Sequence, residues 1–297
     1  MKKTLLALAA FMAVGAVHAE DTLKKIKDSG VITMGVRESS IPFSYLGGDG
    51  QPTGFGWEIC GKIVEQVKKA TGRTDLKVAT QSVTSQNRIP LMVNGTTDIE
   101  CGSTTNNATR QKDVAFAPTT YVEQVRIGVK ANSGIKSVAD LTGKTVATTT
   151  GTTSVQTLRK HERANGVDFK ELFGKDHSDS FLLLESGRAD AFVMDGQIVA
   201  GLISKAKNPA DFKIVGEVLS VEPIAIMFRK DDPAFKKAVD DSVKAQIKSG
   251  EIAKTYDKWF MQPIPPSGTK VGLPLSEATK AAWANPNDKP MEEYAKK

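Results

Sequence analysis

The sequence is poor in the residues that most often announce chemistry. Its 297 residues include only three histidines and two cysteines. It holds no HExxH, no CxxC pair and no His-rich tract, which argues against a dedicated zinc site. There is no GxxxxGK(S/T) loop for nucleotide phosphates and no GxSxG nucleophile elbow. Most enzyme classes with a readable signature are thereby disfavoured, and no cofactor is expected. Aromatics make up 6%, and Lys plus Arg exceed Asp plus Glu only mildly, 40 against 34. A nucleic-acid binder gathers its cations into a patch with aromatics between. Here they are scattered, so no nucleic-acid partner is expected. Beyond residue 19 no apolar run approaches the ~20 residues of a membrane span.

What is present is an ordinary globular balance, 40% apolar and 25% charged, in a chain long enough for two domains. Residues 1–19 read MKKTLLALAAFMAVGAVHA, with Lys2 and Lys3 before an uncharged apolar run over 5–17. Val17 and Ala19 fit the −3 and −1 positions of signal-peptidase cleavage, so a signal peptide is expected over 1–19, with Glu20 opening an exported, periplasmic chain. Export makes a Cys60–Cys101 disulfide possible, but two buried free cysteines fit as well, and the sequence leaves the choice open.

The rest alternates strand-like and helix-like pieces, the pattern of an α/β protein. Strands are expected at Val31–Val36, 76–80, 98–101, 122–130, 145–147, 191–194 and 225–229. Helices are expected over 57–70, around Pro90, from about Thr152, up to Ser186 and from Pro233. Residues 258–260 close the last regular helix, and an irregular tail is expected from Pro263. One echo stands out. In LMVNGTTD (91–98) and LLESGRAD (183–190) a helix ends at glycine and, after two intervening residues, an aspartate opens a strand. Five residues beyond each aspartate stands a polar residue, Ser103 or Asp195. Ligands of open α/β sheets bind outside such carboxyl strand ends.

Other polar groups occupy similar positions. Arg37 follows the first strand, Ser85 and Arg88 enter a helix in TSQNRIP, and Ser103, Thr105 and Arg110 share ECGSTTNNATRQ. Thr153 lies in TGTTS at a helix start, where free N–H groups suit an anion. His177 precedes a helix in KDHSDSF. Arginine grips carboxylates bidentately, so three arginines with hydroxyls point to more than one anionic group. Asp195 suits an ammonium. Should these residues converge, the composition describes an acidic amino acid.

RESSIPFSY, TSQNRIPLMVNGTTDIECGSTTNNATRQKD, TGTTS, KDHSDSF, LESGRADAFVMD, FRKDDPAFKK, YDKWF and QPIPP occur in order over nearly the whole mature chain. Together they resemble the periplasmic glutamate/aspartate-binding proteins of ABC transporters, within the polar amino-acid solute-binding family. The resemblance implies a two-lobed α/β fold, each lobe a sheet flanked by helices, joined by two hinge strands with the ligand in the cleft. The expected division is lobe 1 over 20–121 and 223–297 with lobe 2 over 122–222, hinged near 118–123 and 220–225. It further implies that Arg110, Thr105 and Thr153 hold the α-carboxylate and that Asp195 and Ser103 hold the α-ammonium. Arg37, Ser85, Arg88 and His177 would then hold the side-chain carboxylate. Two residues depart from the pattern: Gly196, where a second acidic residue is expected, and Cys60, where a small polar one is.

The function implied is a monomeric, non-catalytic receptor that delivers L-glutamate or L-aspartate to a membrane permease. An enzyme on the same fold, like certain periplasmic dehydratases, is the alternative, with Asp195 or His177 as general acid. Arginines around the aspartate oppose that role, because they favour its ionised form.

Overall fold

The computed structural model describes residues 21–294. The signal segment expected at residues 1–19 lies outside the described residues. The two echoes of the sequence fold alike. Helices α3 (Arg88–Val93) and α5 (His177–Glu185) each end just before a glycine in the left-handed region, Gly95 at φ 79° and Gly187 at φ 77°. Glycine takes that conformation without the Cβ penalty. Thr97 N–H then returns to Leu91 O at 3.1 Å, as Ala189 N–H does to Leu183 O at 2.8 Å. Next comes the aspartate. Asp98 N–H donates to Thr33 O at 2.8 Å while its Oδ2 accepts from Thr33 N–H at 2.9 Å. Asp190 makes the same two bonds with Thr145, at 2.7 and 2.8 Å. Each aspartate ties the start of its own strand to a parallel neighbour.

Those strands are β1 (Val31–Val36) beside β6 (Ile99–Glu100), and β9 (Thr145–Thr149) beside β11 (Ala191–Asp195). Two five-stranded sheets of one plan are built around them. The first runs β5 (Lys77–Ser82), β1, β6, β13 (Met227–Arg229), β7 (Val114–Phe116). The second runs β10 (Lys170–Gly174), β9, β11, β8 (Tyr121–Lys130), β12 (Phe212–Ile224). In both, three parallel strands meet an antiparallel fourth. A small antiparallel sheet of β2 (Ser39–Ser40), β3 (Ser44–Leu46) and β4 (Pro52–Thr53) adjoins the first. Helices α1 (Thr22–Ser29), α2 (Phe55–Thr71) and α7 (Pro233–Lys248) pack together against it, and α4 (Thr153–Asn165), α5 and α6 (Gly196–Lys205) lie on the second.

The chain passes between the sheets twice, on adjacent segments. β7 leads through residues 117–120 into β8, and β12 returns through 225–226 into β13. The two passages are bonded to each other, with Tyr121 opposite Ile224 and Glu123 opposite Glu222. Ala117 N–H and Thr120 N–H reach Ile226 O and Ile224 O, both at 2.9 Å. The strand expected at 225–229 is therefore shorter than its apolar run, because its first two residues belong to the passage. β10 and β12 were not anticipated. β12 carries Gly216 at φ 75° within a register break between Val215 and Ser220, which destroys its alternation.

The tail differs from expectation. α8 (Glu251–Tyr256) runs into a π-helical turn over Asp257–Met261, and regular structure continues beyond it. A hairpin of β14 (Pro263–Ile264) and β15 (Thr269–Lys270) is followed by α9 (Glu277–Ala284) and α10 (Met291–Tyr294). The cause is a demand for hydrogen-bond partners along the passages. Trp283 Nε1 donates to Thr120 O at 3.0 Å, Val122 N–H to Thr279 Oγ1 at 3.0 Å, and Thr119 N–H to Asn287 O at 2.9 Å. Phe260 stacks on Tyr256 at 4.1 Å and on Tyr121 at 5.5 Å, fixing the first passage to the core of the first sheet. The cysteines are bonded: Cys60 of α2 and Cys101 after β6 form a disulfide with Cα atoms 6.0 Å apart.

Candidate functional site

The carboxyl ends of β1, β6, β9 and β11 converge with the two passages, and the polar residues singled out in the sequence meet there. All nine are 92% buried or more. At one end lies Arg37, directly after β1 and fully buried, its backbone N–H held by Ser44 Oγ at 2.9 Å. Its Nη2 serves three partners: Ser85 Oγ at 3.0 Å, Asp176 Oδ1 at 2.8 Å and His177 Nε2 at 3.2 Å. Nε and Nη1 of Arg37 have no hydrogen-bond partner among the described residues. Arg88, the first residue of α3, sends Nη1 to Ser103 O at 3.4 Å and leaves Nε equally unpartnered. His177 opens α5, with Nδ1 at 3.0 Å from Thr149 Oγ1.

At the other end Arg110 Nη1 donates to Thr105 O at 2.8 Å and Nη2 reaches Gly151 O at 3.5 Å. Thr105 comes from the first sheet's side and Thr153 opens α4 on the second, and their hydroxyls stand 3.3 Å apart. Both donate to Glu222 Oε2, at 2.7 and 2.6 Å. Asp195 ends β11 and caps α6 without a hydrogen bond from its side chain to the helix. The two halves thus touch across the cleft at both ends, through Arg37–Asp176 and through Thr105–Glu222–Thr153.

The electrostatics divide the site. Burial, then the neighbouring Arg110, holds the Arg88 guanidinium well below its ordinary basicity. Burial also lowers Arg110, against the pull of Glu222 and Asp195. His177 is pushed down to about 3 by burial and by Arg37, so it is a neutral imidazole at pH 7. Asp195 is pushed up to about 7, by burial first and by Glu222 second, with Arg88, Arg110 and Arg37 opposing. Burial and Asp195 likewise raise Glu123, whose Oε1 accepts Gly196 N–H at 2.7 Å. A Cβ on Gly196 would stand 3.0 Å from both Arg126 Cγ and Gln124 O. Glycine after Asp195 therefore follows from the close approach of β8. Among the described residues no group of three or more His, Cys, Asp or Glu is placed to hold a metal ion.

Within the protein, Ser85 and His177 bond to Arg37, and the Thr105 and Thr153 hydroxyls donate to Glu222. Asp176, Ser39 and Glu222 were missed. Asp176 accepts from Arg37 and, at 2.6 Å, from Ser39 Oγ. Burial pushes its carboxyl up, but Arg37 and the hydrogen bonds outweigh that and hold it below the ordinary value. Its signal was the capping box formed with Asp179. Glu222, in an otherwise apolar strand end, gave no signal at all.

Comparison with known proteins accords with this architecture. The family model of bacterial extracellular solute-binding proteins, family 3, matches residues 32–262. The L-glutamate/L-aspartate-binding protein of Pseudomonas aeruginosa is 48% identical over 273 residues, 92% of this chain and 90% of that one. The glutamate/aspartate import solute-binding protein of Escherichia coli is 45% identical over 291 residues, 96% of each chain. Among solved structures, an ancestral arginine-binding protein bound to arginine matches with a TM-score of 0.69 and 30% identity, over 78% of this chain and 98% of that one. An ancestral amino acid-binding protein described as a precursor of cyclohexadienyl dehydratase matches with a TM-score of 0.70 at 28% identity, over 80% and 99%. With its two matched sheets, two adjacent passages and a buried polar cleft between them, the chain belongs to the bacterial extracellular solute-binding proteins of family 3.

Proposed function

We propose that the protein captures L-glutamate or L-aspartate in the periplasm and hands it to the permease of an ABC-type importer. The observation that carries this reading is the charge layout of the cleft. Two buried arginines, Arg37 and Arg88, carry N–H groups with no partner among the described residues, Arg110 is bonded only to the carbonyls of Thr105 and Gly151, and the buried Asp195 lies within the field of all three. A ligand with two carboxylates and one ammonium meets both needs; a neutral side chain meets one. Arg110, with the free N–H groups at the start of α4, takes one carboxylate. Arg37 and Arg88, ordered by Ser85, Asp176 and the neutral His177, take the other. Asp195 and the Ser103 segment take the ammonium. Curated relatives 45–48% identical are named for glutamate and aspartate, which supports the same class here. Those relatives are binding proteins, and the enzyme alternative is not favoured.

The passages at 117–120 and 225–226 serve as the hinge, with lobe 1 comprising, among the described residues, 21–121 and 223–294 and lobe 2 the stretch 122–222. Ligand that binds the closed form better shifts the population towards it. Calorimetric titration of refolded, ligand-free protein against the common amino acids tests the reading. Saturable binding of glutamate or aspartate, recovered unchanged by mass analysis, is the expected result. Equal affinity for glutamine and glutamate would sink it.

A further inference from the structure

Glu222 is fully buried on a passage strand, directly opposite the buried Glu123. Burial first, then Asp195 and Glu222, push the Glu123 carboxyl up, so a second acidic residue facing it is a cost to the fold alone. What Glu222 does instead is collect hydroxyl protons. Thr105 and Thr153 donate to its Oε2 at 2.7 and 2.6 Å, and Ser220 donates to its Oε1 at 2.6 Å. Arg110, the nearby cation, is bonded to the carbonyls of Thr105 and Gly151.

We infer that Glu222 is a positioning residue that fixes the Thr105 and Thr153 hydroxyls as hydrogen-bond acceptors, so that they meet the ammonium of the bound amino acid and not its carboxylate. A hydroxyl has one proton and two lone pairs, and an ionised carboxyl only accepts. Once both protons point at Glu222, the threonine oxygens have only lone pairs to offer. A ligand carboxylate facing them would meet oxygen against oxygen, whereas an ammonium brings three N–H donors. Glu222 also adds negative potential beside Asp195, where that ammonium is placed. Because Thr105 and Thr153 lie on opposite sides of the cleft, the lock is complete only when the cleft is shut. The inference rests on the acidic amino-acid reading above and adds to it a selection for α-amino over α-hydroxy acids.

The test is titration calorimetry of the ligand-free, full mature protein and its Glu222→Gln variant with L-glutamate and L-2-hydroxyglutarate, which keeps both carboxylates but carries a hydroxyl in place of the ammonium. Hydrogen bonds to charged groups are the stronger kind, so the variant should bind glutamate about tenfold more weakly or worse. Hydroxyglutarate should lose less than about threefold, because the amide of glutamine lets the threonine protons turn back to the ligand. The preference for glutamate then narrows. Equal loss for both ligands, or no loss for either, would overturn the inference while leaving the acidic amino-acid reading intact. Failure of the unaltered protein to bind any acidic amino acid would overturn both. If the variant does not fold by circular dichroism, neutron diffraction from a deuterated crystal of the unaltered protein with glutamate decides. Deuterons of Thr105 and Thr153 on the Glu222 side uphold the inference, and either one on a ligand carboxylate ends it.

Discussion

Replacing Arg88 by methionine should move affinity and stability in opposite directions. Arg88 is 2% exposed, its one long hydrogen bond goes to Ser103 O, and its Nε has no partner among the described residues. Methionine keeps much of the stem and removes the charge. Truncating one partner of a buried, hydrogen-bonded charge pair costs about 2–5 kcal/mol. At about 1.4 kcal/mol per tenfold, glutamate affinity should fall at least roughly thirtyfold. Glutamine, with a neutral amide at that end, should lose much less, so discrimination narrows. The ligand-free protein should at the same time become more stable. The sign follows from linkage: a base whose folded pKa lies below its unfolded one is charged more favourably in the unfolded chain, so its cation opposes folding. Urea unfolding of ligand-free protein reads the second effect and calorimetry with glutamate and glutamine reads the first. A lower urea midpoint for the variant, or equal losses for the two ligands, would refute the reasoning.

Arg110→Met should weaken glutamate and glutamine alike, because both carry the α-carboxylate; a difference of more than about threefold between the two losses in titration would exclude that assignment. Asp195, pushed up to about 7, must lose its proton to meet an ammonium, so glutamate affinity should be about tenfold weaker at pH 6 than at pH 8, with proton release below pH 7 seen in buffers of different ionisation enthalpy. The same raised pKa means that Asp195 contributes stability that is lost as pH rises from about 4 to 7, whereas the depressed His177 contributes stability that is lost as pH falls through about 6.5 towards 3. Asp195→Asn should therefore flatten the affinity profile, and His177→Gln should reduce acid sensitivity in unfolding measurements; an unchanged profile in either case contradicts the corresponding assignment. Reduction of the Cys60–Cys101 bond, which spans 41 positions, should lower the unfolding free energy by about 2–4 kcal/mol in urea titrations with and without reductant.

Most of the framework was legible in the sequence because periodic burial and glycine-closed helix ends leave local marks. The echo of LMVNGTTD in LLESGRAD proved to be the same backbone device, down to the paired bonds from Asp98 and Asp190. β12 was illegible because a bulge around Gly216 breaks its alternation, and the tail because its order depends on partners far away in sequence, such as Trp283 on Thr120. In the site, residues at strand ends and helix starts could be named, since topology alone brings those points together. Their partners could not. That Ser85 and His177 serve Arg37, or that Glu222 takes the protons of Thr105 and Thr153, depends on a closed arrangement that no local pattern encodes.

On the proposed assignment of Arg37 and Arg88 to the second carboxylate, selectivity works against the stability of the ligand-free chain. An arginine that is to reject glutamine must be left badly off when a neutral amide faces it, and so it is badly off with no ligand as well. Arg37 and Arg88, buried with unpartnered N–H groups, are in that position. Surrounding them with more carboxylates would quiet them, but would also remove the reason to prefer an anion. Asp176 marks the compromise: it engages only Nη2 of Arg37 and leaves Nε and Nη1 unsatisfied. His177 completes it by staying neutral, orienting Arg37 without adding a further cation that any incoming carboxylate would have to share. On the proposed assignment, the energy that separates glutamate from glutamine is thus held in the folded protein before either ligand arrives.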